Sequence, residues 1–214
     1  MLRSLAVVAA IAVVASAAAL KVDTIGALTE SSVAEPVRSA LDAKGLKVIG
    51  ETGKAICEVW FRKEVPTAKR EVPGAMFAQI PEGTLVGVIH FAEAAQDFRG
   101  QKIKEGFYTM RYALILEDGN HQGVSATKDF VLLCPVSQDK DPTVTMTPEQ
   151  TIKLSRTAAG SAHPSPWSMV PVSDSKTLPK AIKNEQEHVI LEVNVNTKSG
   201  PMAIGLIVVG KTEG

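Results

Sequence analysis

The densest collection of chemically capable side chains is Glu117-Asp-Gly-Asn-His-Gln-Gly123. Carboxylate, amide and imidazole donors so close together can hold a cation or bond a sugar hydroxyl, which makes Asp118, Asn120 and His121 ligand-binding candidates. The same residues suit a tight β connection, because Gly accepts positive φ and Asp or Asn side chains bond the nearby backbone. The segment therefore reads first as a structural turn and second as a ligand site. A cation on His121 with Asp118 or Asn120 would be released as pH falls through about 6.5. His163-Pro-Ser-Pro-Trp167 places an imidazole and an indole on a second loop. His163 and Trp167 are candidates there, the indole as a stacking surface for a sugar or peptide, although packing of the loop over a sheet accounts for the tryptophan equally well. The two loops form one rim if the later one folds over the same end of the fold. Asp139-Lys-Asp141-Pro142 has the acid spacing of a Ca²⁺ loop, a spacing that most often marks solvated side chains.

The remaining signals are quieter. His90, between Ile89 and Phe91, reads as a strand residue on a partly covered face, and His188 as an exposed strand start. Gly50-Glu-Thr-Gly-Lys-Ala55 resembles the end of a phosphate loop, but Val48 stands where the first Gly is needed and Ala55 where a hydroxyl must hold the metal, so a hairpin turn is expected. The sequence contains no G-x-S-x-G, H-E-x-x-H or paired C-x-x-C motif, and no cofactor is implied.

Residues 1–19 contain 16 apolar residues and a single charge, Arg3, and end in Ala15-Ser-Ala-Ala-Ala19. A positive start, a short apolar run and small residues at the −3 and −1 positions specify a signal peptide cleaved after Ala17 or Ala19. The run falls short of the ~20 residues that span a bilayer, so no transmembrane anchor is expected after processing and the mature chain is expected to be secreted or periplasmic. The 23 Lys and Arg balance 23 Asp and Glu, which provides no electrostatic footprint for nucleic acid. Outside the cytoplasm Cys57 and Cys134 can oxidise. Cys57 alternates with Val59 and Phe61 on an inward face. A Cys57–Cys134 disulfide facing one core would restrict the unfolded chain by roughly 4 kcal/mol, and two buried free thiols are the alternative.

These groups need elements to position them. Tyr108, Met110, Tyr112, Leu114 and Leu116 alternate with Thr109 and Arg111, and Val189, Leu191, Val193 and Val195 alternate with Glu192, Asn194 and Asn196, so both runs predict half-buried antiparallel strands. Thr84 to Phe91, Phe130 to Val136 and Ala203 to Val209 are continuous apolar runs, expected as interior strands. Gly50–Gly53, Pro81–Gly83, Asp118–Asn120 and Ser199–Pro201 are turn signals. Thr147-Pro-Glu-Gln150 combines an N-cap, a first-turn proline and a capping box, predicting a helix that Gly160 ends, and Glu35 to Lys44 is a weaker helix. The Ser- and Pro-rich stretch from Ala158 to Lys180 is expected as a surface excursion in which Trp167–Val170 could extend.

Cys57-Glu-Val-Trp-Phe-Arg-Lys63, Gly106-Phe-Tyr-Thr-Met-Arg-Tyr112 with Asp118–Gly123, Asp129-Phe-Val-Leu-Leu133 with Asp139–Pro142, and Ser155-Arg156 with Gly160 and His163-Pro164 resemble, in this order, blocks of a group of uncharacterised secreted bacterial β-sandwich proteins. The resemblance implies a secreted β-rich domain and no particular activity. The expectation is a mostly β protein: one antiparallel β-sandwich domain over residues 20–214 with one well-marked α-helix. Its expected role is a non-enzymatic binding or structural module, with a small metal-dependent or hydrolytic enzyme as the alternative.

Overall fold

The computed structural model describes residues 19–115 and 125–211, so the Asp118–Asn120 turn lies outside the described residues. Ten strands form one antiparallel sheet: β1 (Lys21–Ile25), β2 (Gly45–Ile49), β3 (Ala55–Phe61), β4 (Leu85–Phe91), β7 (Gly106–Leu114), β8 (Asp129–Pro135), β9 (Pro166–Val170), β12 (Gly200–Val209), β11 (Val189–Thr197) and β10 (Lys180–Lys183), in that spatial order. A small hairpin, β5 (Ala95–Gln96) and β6 (Lys102–Ile103), stands apart. The mostly β expectation holds, with a change of architecture. The expected two-sheet sandwich is a single sheet rolled until its edge strands β1 and β10 touch, a nearly closed barrel. Lys183 of β10 adds a 3.0 Å ion pair to Glu51 in the β2–β3 turn.

Alternation decides which residues enter the barrel. Val59, Ile89, Met110, Leu133, Met169, Leu206 and Leu191 belong to one interior cluster, each from a different strand. Gly87 has no room for a β-carbon, which would stand 2.4 Å from the Trp60 carbonyl oxygen. Residues 66–80 cover one end of the barrel. Buried Asp129 fastens them by accepting from the backbone N–H of Met76 (2.8 Å) and Phe77 (3.0 Å), while also accepting from the Tyr112 hydroxyl at 2.5 Å. Burial, then that bond to a carboxylate, pushes the Tyr112 pKa up, so the hydroxyl stays a donor. Glu192 similarly holds the 171–179 segment, accepting from the Ser173 N–H (2.6 Å) and hydroxyl (3.0 Å) with Lys180 at 3.3 Å.

Among the described residues, two helices lie outside the barrel. The first, α1 (Glu35–Ala40), is shorter than the Glu35–Lys44 expectation and buries Val37. The second, α2 (Pro148–Ala159), forms as its caps dictate: Thr147 accepts from the Gln150 N–H, Gln150 accepts from the Thr147 N–H at 2.9 Å, and Gly160 ends the helix at φ 60°. It packs on β8. Among the described residues no helix is long and apolar enough to cross a membrane.

Two expectations are corrected. Residues 166–170, expected within a surface excursion, are β9, an interior strand between β8 and β12 with all five residues buried. Cys57 and Cys134 are free thiols on opposite faces of the sheet. Cys57 lies in the interior cluster, whereas Cys134 pairs with outward-facing Thr109 and its neighbour Leu133 takes the interior position. Three strand spacings, about 14 Å, separate β3 from β8, twice the reach of a disulfide. Burial pushes both thiol pKa values up, which keeps them protonated and unreactive.

Candidate functional site

The outer face of β7 and β8 carries two coverings. Residues 136–147 lie over Thr109 and Arg111, whose side chains were expected on a solvent face. Both are instead fully buried. Arg111 meets Asp139 in a two-pronged ion pair, Nε to Oδ2 at 2.8 Å and Nη2 to Oδ1 at 2.6 Å, and donates to the carbonyls of Gly83 (2.8 Å), Asp141 (2.8 Å) and Val144. Thr109 donates to the same carboxylate at 2.5 Å. Asp139 is thus a clamp, and Asp141 caps Thr143 at 2.8 Å, so their acid spacing marks a loop anchor where a Ca²⁺ loop was a candidate.

Further along the same face, Ala113, Phe130 and Leu132 pack with Ile115 and with Ile152 of α2. The helix does not fill the space over them. A cleft of about 310 Å³ remains, walled by these residues with Leu114, Pro148, Pro164 and Pro166, and bordered by Glu82, Arg99, Arg156 and His163. An apolar concavity with a few polar groups at its border is the usual form of a small-molecule site. Glu82 is neutralised by Arg70 at 2.9 Å. Arg99 is presented by a tight turn around buried Asp97, whose carboxylate accepts from the N–H of Arg99 (3.0 Å) and of Gln101 (2.9 Å) and from the Gln101 side chain (2.7 Å). Burial raises the Asp97 pKa and outweighs these bonds. Gln101 also donates to the Pro164 carbonyl at 2.9 Å and accepts from Ser161 at 2.5 Å, so the Arg99 turn is tied to the His163 segment. Ser155 of α2 fixes that segment from beneath by accepting from the Ser165 N–H at 2.9 Å.

A wider groove of about 870 Å³ opens at the barrel end away from residues 66–80, with Ile56, Phe91, Ala95 and Val208 in its wall. Its two acids are paired, Glu93 with Lys54 (3.7 Å) and Glu187 with Lys183 (2.9 Å), and Lys102 and Lys211 also line it. His188 there is buried, not the exposed strand start expected. It meets Phe98 edge-on at 5.4 Å, and its Nε2 lies 3.3 Å from the Lys211 carbonyl. No family model, curated protein or solved structure matches the chain.

Of the residues expected to bind together, the structure describes His163 and Trp167, the first at the surface and the second in the barrel interior. Asp118, Asn120 and His121 lie outside the described residues. His163 is exposed at the border of the α2 cleft. Trp167 is 2% exposed in the barrel interior, its ring 5.0 Å from Phe91 and its Nε1 donating to Ser165 at 3.2 Å. It is a core residue and offers no stacking face to a ligand, because β9 runs through the middle of the sheet. His90 stacks on Phe107 at 4.0 Å and lies 3.0 Å from Glu58, which pairs with Lys47 at 2.7 Å. Among the described residues no three His, Cys, Asp or Glu side chains gather as metal ligands would. Sequence reasoning missed Arg99, Arg156 and Ile152. Ile152 and Arg156 stand four residues apart on a capped helix, a spacing that puts an apolar and a cationic group on one face. Arg99 carries no comparable signal.

Proposed function

We propose that this protein is an exported, non-enzymatic binding module that takes a small, largely apolar ligand into the cleft between α2 and the outer face of β7–β8. The observation that carries this reading is the unfilled apolar concavity over Ala113, Phe130 and Leu132, held open by a well-capped helix. The buried carboxylates and the buried arginine support it, because each is engaged in holding the fold together. Arg111 and Asp139 fasten residues 136–147, Asp129 fastens 66–80, Glu192 fastens 171–179, and Asp97 shapes the Arg99 turn. The leader-like residues 1–19 support export.

The test uses N-phenyl-1-naphthylamine, an uncharged apolar fluorophore. Expected is saturable binding of one probe per chain, abolished by Ala113→Leu from the floor of the cleft and by Ile152→Trp from the helix, with the unfolding midpoint of at least one variant unchanged. Non-saturable binding, or binding indifferent to both substitutions, rejects the cleft as the site.

A further inference from the structure

Six arginines fall within the described residues, and their guanidinium groups divide into two sets. Arg38 donates to the carbonyls of Glu30 and Val33, Arg62 to that of Pro142, Arg70 pairs with Glu82, and Arg111 pairs with Asp139. Arg99 and Arg156 alone have guanidinium groups with no hydrogen bond or ion pair among the described residues, and both border the α2 cleft. They reach it from separate elements, Arg99 from the turn shaped by Asp97 and Arg156 from the last turn of α2. The negative end of a helix dipole favours an arginine in that last turn, which accounts for Arg156 by itself. It gives no reason for Arg99, whose loop is tied through Gln101 to the segment following the helix.

The cleft is therefore polarised along its length. From Pro148 to Arg156 the helix advances about 12 Å. Glu82, already neutralised by Arg70, precedes Gly83, whose carbonyl accepts from the Met146 N–H next to the start of α2. Arg99, Arg156 and His163 stand at the other end, around the helix C-terminus. We infer that the ligand of this cleft is an amphipathic anion, a monocarboxylate on a medium-length hydrocarbon body, with its head bound by Arg99 and Arg156 and its body over Ala113, Phe130, Leu132 and Ile152. This rests on the binding reading proposed above. A planar guanidinium matches a carboxylate with two parallel hydrogen bonds, and charge-assisted bonds of this kind are about twice as strong as neutral ones.

Titration calorimetry of the purified protein with octanoate and with its uncharged amide, octanamide, separates the two proposals. Expected is octanoate bound at least about 10-fold more tightly, with the preference reduced in Arg99→Gln and in Arg156→Gln and absent from the double variant. Lys21→Gln, which removes a positive charge far from the cleft, should leave the preference intact. Equal affinity for the two compounds overturns the anion inference while leaving an apolar site in place. A preference that survives the double variant overturns its assignment to these arginines. Failure of both compounds and of the neutral fluorophore to bind removes the site itself.

Discussion

Arg111 and Arg156 serve the same face of the sheet under opposite conditions. The Arg111 guanidinium is fully buried and gives all five of its N–H groups to acceptors: two oxygens of Asp139 and the carbonyls of Gly83, Asp141 and Val144. Arg156 is exposed beside an apolar cleft and gives its N–H groups to no acceptor among the described residues. A saturated guanidinium has its geometry set by the fold and no remaining capacity for a ligand. An unsaturated one at the border of a concavity contributes little to folding and keeps its donors for something else. Taking Arg111 out of water is tolerable only because every donor is answered, and this makes the clamp sensitive to the loss of one partner.

Denaturation tests that contrast. The largest effect belongs to the clamp: Arg111→Leu or Asp139→Ala alone should cost about 3–5 kcal/mol in urea unfolding, because each strands a buried charge. Replacing both partners with leucine should restore a good part of that loss. A cost under about 1 kcal/mol for the single variants would place Arg111 with Arg156 and dissolve the distinction. An intermediate effect is expected at the half-buried chain Lys47–Glu58–His90. Burial raises the Glu58 pKa, but the bonds from Lys47 and His90 outweigh it and hold the carboxyl below its ordinary value. A carboxylate lowered on folding adds stability above its unfolded pKa and loses it as pH falls through the folded value. Wild type should therefore exceed Glu58→Gln by at most about 1 kcal/mol at pH 6, and the gap should close on acidification below pH of about 4. The smallest effect is Arg156→Gln, expected to leave the urea midpoint within about 0.5 kcal/mol of wild type. A larger loss would show that this arginine, too, belongs to the scaffold.

How much of this was legible in the sequence depended on how much of each element meets solvent or carries its own signal. The continuous apolar runs became β4, β8 and most of β12, and the Thr147 capping box and Gly160 bound α2 where expected. The extended conformation of Trp167–Val170 was legible, but the interior place of β9 was not, because both of its faces are covered, leaving no alternation, and because Pro166 and Ser168 imitate loop composition. Thr109 and Arg111 alternate with apolar neighbours as solvent-facing residues would, yet a loop distant in sequence covers them, and only the fold brings Asp139 there. Cys57 was correctly turned inward, whereas Cys134 sits in a run that is apolar on both faces, where periodicity has no power to orient a side chain. Of the residues that border the α2 cleft, the sequence singles out His163 but not Arg99, whose relation to α2 runs through Gln101 and Pro164 and leaves no periodic trace.

The order of strands across the sheet bears on how the chain can be assembled and shortened. From β1 to β9, disregarding the separate β5–β6 hairpin, each new strand lies beside the one made before it, so the sheet can grow by addition as the chain lengthens. The last three strands break that rule: β12 returns to pair with β9, leaving β10 outermost. Deleting β1 would trim an edge. Deleting β12, the last strand made, would cut a strand from within the sheet and leave β10 and β11 with no strand ladder to the rest of it. Tolerance to deletion should therefore be strongly unequal between β1 and β12, and the sheet cannot be completed until β12 has been made.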